Sequence, residues 1–293
     1  MPELPEVQTV VTTLAPRVLR RRIVRVVHLR GDMVTAPPEL NLARQLAGRR
    51  ITGLARRGKR IVFSIDDDNA FFIHLGMTGR LSVEPTDAPL ANHTHLILDL
   101  GKDAGRAPEQ LRFRDPRRFG EIRWLGCDGC DQNMGPEPLA MRTAQLAEKL
   151  SRTTRAIKNA LMDQRVVAGL GNIYVDESLF DARIHPLARA DKLSSEQVAA
   201  LTKSIKRVLN RAIHHRGSTL RDYVDANGKA GAFQRLHRVY DRKGKPCPRC
   251  KTPIERIIVG GRSTHFCPSC QPLRRRRRPP RRTSASTSTS AAG

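Results

Sequence analysis

The sequence predicts an α+β fold in which an N-terminal helix and a β-sandwich precede a helical C-terminal domain and a small zinc-binding finger. Three observations support this prediction. An apolar stripe at helical spacing follows the first residues, short β-rich runs then continue to Leu125, and helical patterns with a cysteine cluster occupy the rest. The 293 residues suit two domains of ordinary size, and 39% hydrophobic residues can fill their cores.

The first predicted element is an amphipathic helix that begins close to Pro2. Apolar residues recur there at steps of three and four, which places them on one face of a helix: Val7, Val10, Val11, Leu14 and Val18. The N-terminus is therefore expected to lie on a rigid element.

Residues 23–125 then change to short runs of β-branched and aromatic residues. Gly, Pro and Asp clusters separate these runs, which include IVRVVHL, RIVFSI, FFIHL, THLILDL and EIRWL. We therefore predict an N-terminal domain over residues 1–125, built from the helix and a β-sandwich. Residues 126–140 have no period and many turn residues, and we expect them to form an interdomain linker.

Residues 141–242 are expected to form a helical domain. Its predicted helices cover residues 144–150, 155–162, 173–180 and 194–214, the last with an N-cap at Ser194. In QRVVAGLGNIYVDE, Gly169 and Gly171 allow a tight turn, and Asn172 is a candidate cap for the helix that follows.

Two CxxC pairs separated by sixteen residues predict a tetrahedral zinc finger over residues 243–271. Its four ligands would be Cys247, Cys250, Cys267 and Cys270. The segment between the pairs reads as a hairpin turning at two glycines, with Arg262 at its tip. A third pair, Cys127 and Cys130, has no further ligands nearby and is interpreted as two ordinary thiols in the linker.

The charge of the chain indicates a polyanionic partner. Lys and Arg number 53 against 28 Asp and Glu, a formal net charge of +25, so nucleic acid is the first candidate. No apolar run is long enough to span a membrane and no secretory signal is visible, so we expect a cytoplasmic protein. Residues 272–293 are expected to be a disordered Arg-rich tail, either adding salt-sensitive DNA affinity or inert.

Five motifs occur in one order: MPELPEV at the start, HLGMTG at 74–79, DPRRFG at 115–120, DQRVVAGLGNIYVDESLF at 163–180, and the cysteine unit. Together they resemble the bacterial formamidopyrimidine-DNA glycosylase (Fpg, MutM) family. The resemblance implies a helix–two-turns–helix element in the C-terminal domain. It also implies a monomer that binds double-stranded DNA, excises oxidised purines in base excision repair and cleaves the strand at the abasic site.

For catalysis, the resemblance implies Pro2 as the nucleophile, Glu3 as the general acid, and Lys59 and Arg262 as assisting cations. The chemistry of the residues agrees, because removal of Met1 would leave an amine that titrates near 8, far below a lysine side chain. Glu6, one helical turn beyond Glu3, is close enough for the two carboxylates to couple.

For DNA binding, the resemblance implies that Phe119 wedges between bases, Met77 fills the vacated space and Arg117 bonds the orphaned cytosine. Extrusion of the damaged nucleotide requires such residues, since stacked DNA hides the reacting carbon. Further DNA contacts are implied at His74, His93, Lys158, Asn172 and Tyr240. The Gly-rich segment 225–233 is expected to act as a lid over the extruded purine.

Two alternatives stay open at this stage. One is an endonuclease VIII-like glycosylase for oxidised pyrimidines, against which ELPE after Met1, the Arg117/Phe119 pair and the lid segment all argue. The other is a noncatalytic zinc-ribbon protein that binds DNA or RNA by charge. It explains the basic composition and the cysteines, but it does not explain the MPELPE start.

Overall fold

The computed structural model describes residues 1–101, 108–127 and 133–273. Its N-terminal half opens with helix α1 (Leu4–Val18), which buries its apolar stripe as the spacing predicts. Two sheets follow and pack face to face with α1 over a shared core. The prediction of an N-terminal helix and a β-sandwich is therefore confirmed.

The strands of the sandwich are β1 (Ile23–Leu29), β2 (Val34–Thr35), β3 (Ile51–Arg57), β4 (Arg60–Ile65), β5 (Ala70–His74), β6 (Arg80–Pro85), β7 (Thr94–Leu100), β8 (Glu109–Arg114) and β9 (Glu121–Gly126). One sheet has the order β1-β7-β8-β6 and the other β2-β9-β5-β4-β3. Every pair is antiparallel except β2 with β9. A short helix, α2 (Leu42–Leu46), connects β2 and β3.

The C-terminal half contains α3 (Thr143–Ser151), α4 (Ile157–Met162), α5 (Asn172–Asp181) and α6 (Ser195–His214). Ser194 caps α6 as predicted, because its Oγ accepts from the Gln197 amide at 3.3 Å. The prediction that Asn172 caps α5 is wrong. Gly171 occupies the cap position, and Asn172 is the first residue of the helix.

The cysteine unit is the predicted hairpin, formed by β10 (Glu255–Val259) and β11 (Arg262–Phe266) around Gly260 and Gly261, both in the left-handed region. Separate hydrophobic cores lie in the sandwich, among the helices and under the hairpin. Leu4 belongs to the helical core although it begins α1, so the first residues of the chain join the two halves.

No helix within the described ranges has the length and apolar character that crossing a bilayer requires. Cys130 and residues 274–293 of the predicted tail lie outside the described residues, as does part of the predicted linker. Cys127 is exposed at the end of β9.

Candidate active site and nucleic-acid interface

Glu3 connects the N-terminus of the chain to the start of α5. Its Oε1 accepts from the Ile173 amide at 3.0 Å and its Oε2 from the Tyr174 amide at 3.4 Å, so it supplies the cap that Gly171 lacks. A Cβ on Gly171 would come within 2.3 Å of the Glu3 carboxyl, which explains the glycine. The carboxylate also faces the positive end of the helix dipole.

Glu6 lies at the centre of a buried hydrogen-bond network beside Glu3. Its Oε2 accepts from the Glu3 amide at 2.8 Å, and its Oε1 accepts from the Ser218 amide at 2.6 Å and the Tyr174 hydroxyl at 2.5 Å. Burial, and next the neighbouring Glu3 carboxylate, raise the pKa of Glu6 to about 7. A group with this pKa can hold or release a proton near neutral pH.

The terminal amine lies between two cavities. Pro2 and Glu6 contribute to a smaller one of about 310 Å³, and Glu3 contributes to a larger one of about 730 Å³, with Met1 bordering both. Burial lowers the pKa of the Met1 amine, which favours its neutral form. Removal of Met1 would free the nitrogen of Pro2, which borders the smaller cavity.

Cations line the larger cavity. Lys59 lies in the β3–β4 turn, and burial lowers the pKa of its ammonium. His74 and Arg262 line the same cavity, and burial also lowers the pKa of His74. Glu137 fixes the turn, because its carboxylate accepts from the Gly58 amide at 2.6 Å and pairs with Arg56 and Arg57. The turn thus presents Lys59 to the cavity from a rigid support.

The predicted base-opening residues protrude from two turns that pack together. Met77 is 40% exposed and Phe119 54% exposed, and the Arg117 guanidinium lies 4.7 Å from the centre of the Phe119 ring. Buried Asp115 ties the turns, since it accepts from the Thr78 hydroxyl at 2.5 Å and the Gly120 amide at 2.7 Å. These residues are not part of the core.

The remaining predicted DNA-contacting residues differ in their positions. Tyr240 and Asn172 line the larger cavity, and Asn172 Nδ2 donates to the Ser263 carbonyl of the hairpin at 2.9 Å. His93 is exposed and lines neither cavity, but its carbonyl accepts from the Asp115 amide. Lys158 is fully buried, and its Nζ lies 2.5 Å from Asp176 rather than at the surface.

The segment that lines the smaller cavity precedes the predicted lid. Ser218 and residues 220–223 form one wall of that cavity. By contrast, Ala226 packs against the sandwich core and its amide donates to Thr13 in α1, and Phe233 packs in the helical core. Residues 225–233 are thus anchored at both ends, and the wall lies just before them.

The four finger cysteines have their sulfur atoms within 4.8 Å of one another. Cys247 and Cys270 Sγ are 3.9 Å apart, and Cys250 and Cys267 Sγ are 3.4 Å apart. Four thiolates at about 2.3 Å from a tetrahedral zinc place neighbouring sulfurs roughly 3.8 Å apart, so the arrangement fits one structural Zn²⁺.

Sequence reasoning missed several residues that hold this site together. Asp115 and Asp176 lie inside quoted motifs, so the motifs gave a signal that was not used. Glu137, Ser218 and His237 lie in no such motif, and only the fold brings them to the site.

Three family models match the chain: the formamidopyrimidine-DNA glycosylase N-terminal domain over residues 1–122, its H2TH domain over 134–224, and a zinc finger found in FPG and IleRS over 244–273. A formamidopyrimidine-DNA glycosylase from Roseiflexus sp. is 47% identical over 277 residues, covering 92% of this chain and all of the relative. One from Geobacillus kaustophilus is 43% identical over 280 residues, covering 92% and 100%.

Solved structures agree with these matches. The complex of Lactococcus lactis Fpg with abasic-site DNA has a TM-score of 0.83 at 37% identity, covering 92% of this chain and 100% of that one. MutM (Fpg) from Thermus thermophilus has a TM-score of 0.80 at 39% identity, covering 92% and 98%. The similarity therefore extends over sandwich, helices and finger together.

Proposed function

This chain belongs to the formamidopyrimidine-DNA glycosylase family, and from that premise we propose which of its residues perform each step of the reaction. It is a base excision repair glycosylase that removes oxidised purines from DNA, and cleavage of the abasic strand is consistent with the family. This match decides against both a pyrimidine-specific enzyme and a noncatalytic zinc-ribbon protein. The observation that supports our residue assignments is that Pro2, Glu3 and Glu6 are buried next to one another where the two cavities meet at Met1.

Pro2 is the proposed nucleophile, once Met1 has been removed. Its nitrogen attacks C1′ of the damaged nucleotide and gives up its proton, and the bonds from C1′ to the base and to the sugar ring oxygen break in turn. Glu3 supplies a proton to the departing base or to the opening sugar oxygen. The resulting iminium ion acidifies the C2′ proton. Loss of that proton permits β-elimination of the 3′ phosphate and then δ-elimination of the 5′ phosphate.

We assign the two cavities to different parts of the substrate. The smaller cavity contains Pro2 and is lined by two arginines, Arg117 and Arg221, fewer cations than the larger cavity has, so it suits the extruded purine. The larger cavity is lined by Lys59, His74 and Arg262 among others, so it suits the phosphodiester backbone. Zinc would hold the hairpin that carries Arg262, and the metal supplies rigidity there rather than chemistry.

Phe119, Met77 and Arg117 are proposed to open the duplex and fill the space left by the extruded nucleotide. Their exposure supports this role, since a side chain that enters the base stack has to be free of the protein core. Asn172, Tyr240 and His93 are proposed to contact the DNA backbone beside them. Lys158 acts indirectly in this scheme, by holding α4 to Asp176 and the Asn172 carbonyl.

The proposed domain division is 1–125, a linker over 126–140, 141–242, 243–271 and a tail over 272–293. We further propose a cytoplasmic monomer, which associates with the nucleoid during repair. Neither cavity needs residues from a second copy, which supports action as a monomer.

A reductive trapping experiment tests the assignment of Pro2. The protein is incubated with a duplex containing 8-oxoguanine in the presence of borohydride, and the linkage is located by mass spectrometry. We expect a covalent adduct at Pro2, and none when a Gly-Ser extension converts its nitrogen to an amide. An adduct on an internal lysine, or one that survives the extension, contradicts the assignment.

A further inference from the structure

His237 lies behind the smaller cavity and contacts two residues that line it. Its Nε2 is 3.0 Å from the Ser218 hydroxyl, and its ring packs edge-on against Tyr240, with 5.5 Å between ring centres. His237 is buried and lines neither cavity itself. It therefore acts on the cavity only through these two neighbours.

Ser218 is where the cavity wall begins, and its position is set from two sides. Its amide donates to Glu6 at 2.6 Å, and its buried hydroxyl lies 3.0 Å from His237 Nε2 and 3.4 Å from the Tyr174 hydroxyl. A buried hydroxyl that loses its partner costs free energy, so removal of the imidazole favours movement of the Ser218 side chain.

The wall is anchored at its other end by separate bonds. Tyr223 Oη donates to the Glu6 carbonyl at 3.2 Å, and the Thr219 hydroxyl donates to the Tyr223 carbonyl at 2.9 Å. Between these anchors Leu220 and Asp222 are exposed. Arg80 Nη2 donates to the Asp222 carbonyl at 2.7 Å and holds the middle of the wall. The shape of the wall therefore depends on this bond and on its two ends, and the Ser218 side chain at one end contacts His237.

His237 also belongs to a row of packed rings that runs from the buried hydrogen-bond network of Glu6 to the zinc finger. Consecutive ring centres lie 5.8, 5.6, 5.5 and 5.2 Å apart in the row Tyr174, Phe233, His237, Tyr240 and His265. Burial lowers the pKa of His237 to about 4, so the ring enters this apolar row uncharged at neutral pH. An imidazole meets both requirements of this position, because it packs in the row like an aromatic ring and its nitrogen forms the hydrogen bond to Ser218.

We propose that His237 is a positioning residue for the damaged base: its nitrogen fixes Ser218 so that the smaller cavity holds the extruded purine in register with Pro2. This inference rests on the proposed function, in which that cavity receives the base. An abasic sugar places nothing in the cavity. His237 is therefore required for base excision and dispensable for cleavage at an abasic site that already exists.

The test compares both reactions in the zinc-loaded protein under single-turnover conditions. His237→Leu retains an apolar side chain but loses the nitrogen. We expect excision of 8-oxoguanine from duplex DNA to slow about 10-fold, which corresponds to about 1.4 kcal/mol, while cleavage of a preformed abasic duplex stays within about two-fold. His237→Gln, which restores a polar group near Ser218, should recover part of the loss.

Ser218→Ala removes the other partner of the same bond and leaves the ring row intact, so the test does not depend on how the His237 variants fold. Ser218→Ala should likewise slow excision of 8-oxoguanine and leave cleavage of the preformed abasic duplex unchanged. His185→Leu is the matched control, because its ring also packs edge-on against an aromatic side chain, Phe266, but lines neither cavity. It should leave both reactions unchanged.

Two results would overturn the inference: excision by His237→Leu within two-fold of the unsubstituted protein, or a parallel fall of both reactions, which indicates a general structural role. Either result leaves the Pro2 assignment intact. Absence of a borohydride adduct in the unsubstituted protein instead contradicts the proposed function, whatever the His237 variants do.

Discussion

The acid cluster at the N-terminus and the two turns that we propose to open the duplex are built in opposite ways. Glu3 and Glu6 are 4% and 2% exposed, and their carboxylates accept several hydrogen bonds. Met77 and Phe119 lie largely in solvent, although their turns are held by Asp115. The proposed proton-transferring groups are thus held in place before DNA binds, whereas the proposed duplex-opening groups would become buried only in the DNA.

This difference follows from what each group has to do. A proton donor works best when its pKa and position are already set, because no free energy is then spent on reorganisation during the reaction. A wedging side chain gains free energy by moving from water into the base stack. It therefore has to be exposed to solvent, and not packed in the protein core, before DNA binds. Substitutions in the acid cluster should therefore change the rate of the chemical step. Substitutions in the turns should change how readily the damaged nucleotide leaves the duplex and reaches the site.

The largest effect is expected for Glu3→Gln. Glutamine keeps an oxygen that can accept from the Ile173 amide, but it cannot donate a carboxylic acid proton. Because general acid catalysis contributes on the order of 100- to 10,000-fold, we expect excision of 8-oxoguanine to slow about 1,000-fold in a single-turnover assay.

The melting temperature should fall by only a few degrees, because glutamine keeps one of the two acceptors that cap α5. A loss of about 1,000-fold well below that temperature then reflects lost chemistry and not lost folding. A loss below about 10-fold would contradict the assignment of Glu3 as the acid. Glu148→Gln, at an exposed position in α3, is a matched control and should behave like the unsubstituted protein.

A smaller effect is expected on how the free energy of unfolding depends on pH. It should appear when buried His237 is substituted, and not when an exposed residue of the turns is substituted. The pKa of His237 falls from 6.5 in the unfolded chain to about 4 in the fold. As the pH falls through this interval, the unfolded chain takes up a proton that the folded chain does not. The imidazole therefore costs stability in acid, by about 3 kcal/mol between pH 7 and pH 4.

Urea unfolding of the unsubstituted protein and His237→Leu at pH 7 and pH 4 measures this contribution. The variant should lose about 3 kcal/mol less than the unsubstituted protein over the interval. Equal losses would show that His237 titrates normally in the fold. Phe119→Ala serves as the comparison from the exposed region and should follow the unsubstituted protein at both pH values.

The smallest effect is expected for Phe119→Ala on activity. The ring contacts solvent and the Arg117 guanidinium, so its loss should change the free energy of unfolding by about 0.5 kcal/mol or less. Excision from duplex DNA should slow about 10-fold, since the gap in the stack is no longer filled. Excision from the same strand left unpaired should not change, and a loss of equal size there would contradict the wedge role.

The sequence predicts best those parts whose partners are close along the chain. The stripe of α1, the Ser194 cap and the two CxxC pairs depend on spacings of a few residues, and each is found where it is expected. β8 is not among the runs singled out above, because only Leu111 and Phe113 of its six residues are apolar. In the fold the Arg112 guanidinium is buried against the carbonyls of Pro85, Ala88 and Pro89, which no local pattern reveals.

The site shows the same limit. MPELPEV indicates Pro2 and Glu3, but it does not reveal that Glu3 caps a helix 170 residues later. In the sequence Lys158 resembles a surface cation. In the fold it is buried in an ion pair with Asp176, 18 residues away. His237 belongs to no motif, and its role arises from one bond to Ser218 and from the packing of rings.

The bonds from Glu3 to the first turn of α5, together with the bond from the Leu4 amide to the Gly169 carbonyl, join the sandwich to the helical half of the molecule. Any motion that swings these halves apart to admit or release a duplex pulls that carboxylate away from its helix. If Glu3 is the proton donor, as we propose, an open molecule on intact DNA lacks that donor in position, and closure around a lesion restores it.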